Sequence, residues 1–188
     1  MKTVDVALIR RPGASEALTG AVADVRAQLE TLHSSSFAWA MACCGRRRHD
    51  AEDVLHDVYA GILADGARFD GRSTFRTWLF GVIARTARAR ARRDRFRRLL
   101  LETRAFRLDR PTAEPPPDDR AADGDRRDHV LRALDRLSQR QRDVLLLVFY
   151  HDLTIEEAAS VMNVSIGSAR VHYQRGKEKM AALLKEQR

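Results

Sequence analysis

The chain has 188 residues, enough for one ordinary domain or two small ones, and 34 Lys and Arg against 26 Asp and Glu give it a formal net charge of +8. Arginine far outnumbers lysine, and because Arg binds phosphate bidentately and stacks on bases, nucleic acid is the leading candidate for an anionic partner. A hydrophobic fraction of 44% excludes wholesale disorder, and no apolar run approaches the ~20 residues of a membrane span.

The two cysteines, Cys43 and Cys44, are adjacent and lie in an apolar run. Such a pair cannot build the disulfide framework of a secreted protein, so we expect a cytoplasmic protein with two buried thiols. A redox or zinc role is the alternative. Residues 1–20 lack the apolar core of a signal peptide and are expected to form an N-terminal arm.

The first helical block is predicted at residues 21–101. Apolar residues recur at helical spacing up to Leu32, and the serines at 34–36 are expected to interrupt before a second short helix. The next helix contains HDAEDVLHDVYAGIL (49–63), which holds four carboxylates and no Lys or Arg in an otherwise basic chain. At 100° per residue, Asp50, Asp53 and Asp57 fall within about 60° of one another, away from the apolar side. The pattern predicts one core face and one carboxylate face.

A turn-rich loop, GARFDGRST, precedes the longest predicted helix. Ser73 or Thr74 is the expected N-cap, and Phe75 and Trp78 begin an amphipathic stripe that should pack in the core. The helix then becomes arginine-rich, with eight Arg against one Asp between residues 85 and 98. Because so much like charge repels itself, this run favours binding to a nucleic-acid backbone.

Residues 107–125 contain four of the five prolines, a composition typical of a linker. In the second helical block, TIEEAASVMNVSIGSARVHYQ has the pattern of a helix-turn-helix. Thr154 and Glu157 form a capping-box pattern, Asn163 suits a left-handed turn, and Ser165 caps the helix that follows. That helix fits a major groove. Its side chains able to reach bases or phosphates are Ser168, Arg170, His172, Gln174 and Arg175.

We find no convincing β-alternation. The sequence therefore predicts an all-α fold of two small helical domains joined by a flexible Pro/Asp-rich linker, the second containing the helix-turn-helix. The predicted division is an N-terminal arm at 1–20, a first domain at 21–101, a linker at 102–128 and a second domain at 129–188.

The stretch LDRLSQRQRDVLLLVFYHDLTIEEAASVMNVSIGSARVHYQRGKEKM resembles the −35-reading domain of bacterial RNA polymerase sigma factors of the extracytoplasmic-function (ECF, sigma-70 group IV) family. DAEDVLHDVY resembles the acidic helix of that family, and FDGRSTFRTWLFGVIARTARARARR resembles the segment that opens and reads the −10 element. The motifs occur in the family order, with a linker between them. Departures such as Thr86, usually Asn in the family, and Val171 with His172 fall at expected base-reading positions. The resemblance therefore implies the fold but not the promoter sequence.

The resemblance implies an alternative sigma factor, not an enzyme, that binds core RNA polymerase and directs promoter recognition, −10 melting and transcription initiation. It implies no cofactor or metal and an anti-sigma factor as partner, and we expect a monomer when free. The residues implied to dock on the coiled coil of the largest polymerase subunit are Asp50, Glu52, Asp53 and Asp57. Those implied to contact the −10 element are Phe69, Gly71, Arg72, Ser73, Arg76, Arg85, Thr86, Arg88 and Arg92. Those implied to contact the −35 element are Arg140, Thr154, Ser165, Gly167, Ser168, Arg170, Val171, His172, Gln174 and Arg175.

Other interpretations of the residues stay open at this point. A stand-alone helix-turn-helix regulator would bind duplex DNA without polymerase, as a dimer on paired half-sites. His49, Asp53 and His56 share a helix face and are candidate metal ligands. A metal-dependent nuclease would need carboxylates converging from several elements, whereas these lie on one helix. A further hypothesis is that linker carboxylates shield the basic surfaces in the free protein; these are Asp118, Asp119, Asp123 and Asp125.

Overall fold

A computed structural model of the chain describes residues 24–64, 69–102 and 123–185, with the backbone alone at 98–102 and 123–127. All regular structure in these ranges is helical, and none of the described helices is long and apolar enough to cross a membrane. The predicted arm and Asp118 and Asp119 of the shielding hypothesis lie outside the described residues, as do the side chains of Asp123 and Asp125.

The described residues of the first lobe form four helices: α1 covers 24–31, α2 His33–Cys43, α3 Arg48–Ala64 and α4 Phe75–Glu102. The serines at 34–36 lie inside α2, so the expectation that they interrupt the helix is wrong, and the break falls at Leu32. The Ser35 hydroxyl donates to the Leu32 carbonyl at 2.9 Å. A serine that bonds back to the preceding turn is tolerated in a helix, which is why composition alone misplaced the break.

Trp39 lies at the centre of the first lobe's core. Its side chain is fully buried, its ring stacks on that of Phe80 with 6.1 Å between centroids, and its indole N–H donates to the Phe80 carbonyl at 3.0 Å. Val54 of α3 and Leu79 of α4 are also fully buried. Helix α3 therefore packs one side against α2 and α4 and leaves its carboxylates toward solvent, as the helical wheel predicts.

The second lobe contains α5 at Asp123–Asp135, α6 at Gln139–Leu145 continued by a π-helical turn at Leu146–Tyr150, α7 at Ile155–Met162 and α8 at Ile166–Lys185. Helix α5 begins six residues before the predicted domain start at 129. Because the last proline of the linker is Pro117, no proline after it prevents a helical backbone.

The predicted turn chemistry of the helix-turn-helix is confirmed. The Thr154 hydroxyl accepts from the backbone N–H of Glu157 at 3.1 Å, and the Glu157 carboxylate accepts in return from the Thr154 N–H at 2.9 Å. Asn163 ends α7 with a φ of 54°, the left-handed conformation that Asn tolerates. The Ser165 hydroxyl then accepts from the Ser168 N–H at 3.2 Å and caps α8. These local bonds set the angle at which α8 leaves α7.

The two lobes pack against each other along α4 and α7. Leu147 and Val161 of the second lobe belong to the same buried cluster as Leu79 and Phe80 of the first. The sequence predicted two domains and a linker but not this shared core. The arrangement places the arginine-rich helix of the first lobe directly beside the helix-turn-helix.

Candidate nucleic-acid and polymerase interfaces

The carboxylates of α3 form an acidic face, which we define as Asp50, Glu52, Asp53 and Asp57. Each is already bound to an arginine of the same chain. Arg47 reaches Asp50 and Arg48 reaches Glu52, both at 2.8 Å and from the start of the helix. One arginine of α4, Arg90, binds both Asp53 and Asp57, the latter at 3.4 Å. The sequence predicted the face but not that the chain neutralises part of it.

The structure places the candidate metal ligands without bringing a site together. His49 and His56 are exposed, and His49 Nε2 lies 3.8 Å from the Asp53 carboxylate. Within 24–64, 69–102 and 123–185, no group of three or more His, Cys, Asp or Glu is placed to hold a metal ion. Asp53 instead has Arg90 as its near partner.

Burial raises the pKa of both thiols. For Cys44 the value rises to about 11, with the nearby Asp50 adding to the effect of burial. The pKa of Cys43 also rises, chiefly by burial and then by the charge of Asp143. Both groups are therefore protonated at neutral pH, whereas nucleophilic and metal-binding cysteines act as thiolates.

The loop before α4 presents two kinds of side chain. Phe69 is half-buried and packs its ring on Phe75 and Trp78, each at 5.6 Å between centroids, so it is part of an aromatic cluster. Gly71 and Arg72 are exposed, and Gly71 has a φ of 70°, which L side chains rarely adopt. Ser73 is half-buried, and it is Thr74 that caps α4, accepting from the Thr77 N–H at 3.1 Å.

Helix α4 has arginines on two sides. We call Arg85, Arg88 and Arg92 the arginine row, since they recur at i, i+3 and i+7; Arg90 lies about 200° from Arg88 on the wheel, toward α3. Arg85 and Arg92 are exposed, and Thr86 beside them is half-buried. Arg88 is turned to the second lobe, where it donates to the Met162 carbonyl at 3.4 Å.

Arg76, another predicted −10 residue, also faces the second lobe. Its guanidinium donates to the His151 carbonyl and lies over the Phe80 ring, 5.6 Å from the centroid. The next residue, Thr77, donates to the Glu157 carboxylate at 3.2 Å. The start of α4 is therefore bound to the start of the helix-turn-helix.

The predicted −35 residues lie on α6, at the N-terminus of α7, and at the N-cap and in the N-terminal half of α8. Those that are exposed are Arg140, Thr154, Ser165, Gly167, Ser168, Arg170, Val171, Gln174 and Arg175, and His172 is half-buried. Arg170 pairs with Glu156 of α7 at 3.1 Å, and Gln174 donates to Glu178 at 2.9 Å. Exposed α8 side chains with weak internal partners suit a groove-binding helix.

Ile166 was not predicted as a site residue, yet its side chain is 43% exposed at the first turn of α8, and Val171 is 48% exposed. Isolated apolar side chains on a recognition helix can contact the methyl group of thymine. The sequence gives no signal for this exposure, because Ile166 lies three residues before the buried Ala169 and helical spacing places both on one side of α8.

Two ionisable side chains are buried where the lobes meet. Burial raises the pKa of Asp143 to about 6, although a hydrogen bond from Gln139 and the charge of Arg88 lower it. Burial lowers the pKa of His151 to about 4, and the charge of Arg76 adds to this. At neutral pH the buried Asp143 carboxylate is therefore charged, and the imidazole between Trp39 and Phe80 is neutral.

Comparison with known proteins gives consistent matches. The model of Sigma-70 region 2 matches residues 30–97, and that of Sigma-70, region 4 matches residues 127–180. The chain is 31% identical over 137 residues to RNA polymerase sigma factor CarQ of Myxococcus xanthus, spanning 72% of this chain and 75% of that protein. It is 28% identical over 133 residues to ECF RNA polymerase sigma factor SigX of Bacillus subtilis (strain 168), spanning 69% and 68%. The fold matches the sigma factor RpoE from Bartonella quintana, solved in complex with the anti-sigma factor NepR, at a TM-score of 0.65 and 22% identity, covering 88% of this chain and 99% of that chain.

A two-lobed helical protein with an arginine-rich helix in one lobe and an exposed helix-turn-helix in the other has the features of a DNA-binding protein. The chain belongs to the sigma-70 family of RNA polymerase sigma factors, in the extracytoplasmic-function group. It is an alternative sigma factor, which binds core RNA polymerase and promoter DNA and directs promoter recognition and transcription initiation. This membership sets aside the alternative of a stand-alone helix-turn-helix regulator.

Proposed function

We propose that α3 docks this sigma factor on core polymerase through Asp50, Glu52, Asp53 and Asp57. The difference in burial between the two sides of α3 supports this assignment, because Val54 and Leu55 are buried while the carboxylates stay accessible. Their internal partners are surface arginines, and surface ion pairs are worth only ~0–1 kcal/mol. A basic partner surface can therefore replace them.

We assign the −10 element to the loop at 69–74 and to the arginine row of α4. Single-stranded DNA is held by stacking surfaces beside a positive track. The exposed Arg72, Arg85 and Arg92 supply the charge, and the half-buried Phe69 ring supplies an aromatic surface in the loop. Gly71, Ser73 and Thr86 complete the surface on which an unpaired base would lie.

The packing of the two lobes against each other affects how Arg76 and Arg88 can bind DNA. Arg76 and Arg88, both assigned to −10 binding, donate to carbonyls of the second lobe. For these guanidinium groups to reach phosphate, the lobes have to move apart. We infer that the packed arrangement is the form not bound to DNA, and that core polymerase holds the lobes apart when it binds. We extend the inference to an anti-sigma factor, which would act by favouring the packed form.

We assign −35 recognition to the exposed side of α8 with Arg140 and Thr154 at its edges. A helix N-terminus with free backbone N–H groups suits phosphate contact, and the side chains from Ser165 to Arg175 suit base edges and phosphates. The remaining parts of the proposal are that the protein has no catalytic activity, works in the cytoplasm where polymerase and chromosome lie, and is a monomer when free. The boundaries 1–20, 21–101, 102–128 and 129–188 stay predictions, apart from the earlier start of α5.

The observation that carries the proposal is that the first lobe holds two separate charged surfaces, the acidic face on α3 and the arginine row on α4. The test is run-off transcription with core polymerase on genomic promoter fragments, together with a pull-down of core. We expect promoter-dependent transcripts and stoichiometric capture. Retained capture without transcripts in an Arg85→Ala, Arg92→Ala variant would support the assignment of the row to DNA, and loss of capture by that variant would contradict it.

A further inference from the structure

Arg90 binds the acidic face of α3 although it belongs to another helix. Its guanidinium belongs to α4, and it bridges Asp53 and Asp57, which are one turn apart on α3. The arginine side chain is 30% exposed and the two carboxylates are 34% and 49% exposed. The other two arginine partners of the face are Arg47, which directly precedes α3, and Arg48, the first residue of α3. Among the described side chains, Arg90 is thus the cation that another helix brings to the centre of the face.

Arg90 does not share the side of α4 assigned to DNA. At 100° per residue it lies two positions, and therefore about 200°, from Arg88 and from Arg92 alike. Its closest arginine neighbour on the same side is Arg93, which is exposed. A role for Arg90 in holding the −10 strand is therefore not indicated by its position, and its contacts are with the acidic face.

We propose that Arg90 is an internal competitor of core polymerase that sets the affinity of the acidic face. This inference rests on the proposed docking role of Asp53 and Asp57. A basic partner must either displace the Arg90 guanidinium or share the two carboxylates with it. In both cases the positive charge of Arg90 opposes the approach of a second cation. The sigma factor thereby binds core less tightly than its carboxylates alone would allow.

The size of the effect follows from the exposure of the pair. Partly exposed ion pairs contribute little, and the competing contact is lost only in part, so removal of Arg90 should tighten core binding by about two- to five-fold at low salt. Because exposed charges are screened at high ionic strength, the two proteins should bind core with nearly equal affinity at roughly 0.5 M salt.

The experiment compares Arg90→Gln with Arg93→Gln in the full chain, measuring the dissociation constant for purified core polymerase at low and high salt. Arg93→Gln removes the same charge from the next turn of α4 and should stay within about twofold of the wild type. Tighter binding by Arg90→Gln alone, reduced by salt, supports the proposal. Unchanged or weaker binding overturns it.

Two further variants keep the result interpretable. Arg90→Lys retains the charge but cannot bind both carboxylates bidentately, so its affinity should lie between those of the wild type and Arg90→Gln; affinity at or below the wild type overturns the proposal even if Arg90→Gln folds poorly. In a chain carrying Asp53→Asn and Asp57→Asn, Arg90→Gln should have no effect. If that double variant binds core as well as the wild type, the docking assignment fails. If the double variant binds less and Arg90→Gln gives no gain in the otherwise wild-type chain, the Arg90 proposal alone fails.

Discussion

The hydroxyl of Thr77 donates to one oxygen of the Glu157 carboxylate at 3.2 Å, while the other oxygen of Glu157 accepts from the backbone N–H of Thr154 at 2.9 Å. One carboxylate therefore caps the first helix of the helix-turn-helix and binds the helix assigned to the −10 element. The lobe contact and the local fold of the second lobe depend on the same side chain.

Glu157→Ala should lower the free energy of unfolding by about 1–2 kcal/mol, because it removes one half of a capping box together with the lobe contact. The pKa of Glu157 is lowered, first by the hydrogen bond from the Thr154 backbone, so its contribution is present above the ordinary Glu pKa and is lost as pH falls through the lower folded value. Urea unfolding at pH 7.5 and in acid measures both effects. Glu156→Ala, which removes only the exposed pair with Arg170, is the control and should cost under about 0.5 kcal/mol.

Asp143→Asn should stabilise the protein at pH 7.5 by roughly 1–3 kcal/mol. The folded pKa of about 6 lies above the ordinary value of 3.8, so the folded chain keeps a proton that the unfolded chain has lost, and stability falls as pH rises through this window. The gain from the substitution should therefore be largest above pH 6 and vanish near pH 4. Thermal unfolding across this range tests it, with the exposed Asp128→Asn as control. A gain independent of pH would mean that the charge of Asp143 is not its cause.

Asp53→Arg combined with Asp57→Arg should abolish core binding and also lower stability by about 1 kcal/mol, because the new guanidinium groups face Arg90. Adding Arg90→Glu should restore the lost stability without restoring core binding. Chemical unfolding and core pull-down report the two properties separately. Normal core capture by the double variant would contradict the docking assignment and mean that α3 is an ordinary solvated helix.

The exposed apolar side chains of α8 should act differently from its arginines. Val171→Ala or Ile166→Ala should weaken binding to the cognate −35 element by about 1 kcal/mol while leaving other sequences unchanged, because a methyl contact reads one base. Arg175→Ala should weaken all sequences alike and reduce the salt dependence by about one ion. Titration of holoenzyme on matched promoter duplexes at several salt concentrations separates these outcomes.

Much of the second lobe was predictable, because its signals are local. Thr154, Asn163 and Ser165 specify caps and a turn within a few residues of themselves, and the structure places each as expected. The contacts of Arg90 with Asp53 and Asp57 were not predictable, since they join residues more than thirty positions apart and one arginine in a run of eight looks like any other. The helical break at Leu32 and the π-helical turn at Leu146–Tyr150 were missed because packing, and not composition, determines them.

The acceptors of Arg76 and Arg88 in the second lobe are main-chain carbonyls, those of His151 and Met162. A carbonyl is present whatever residue occupies the position, so these contacts place no demand on the side chains that read DNA. Substitutions in α8 can therefore alter promoter preference while the association of the lobes is retained. In this chain, the contacts of Arg76 and Arg88 are therefore independent of the side chains that set promoter preference.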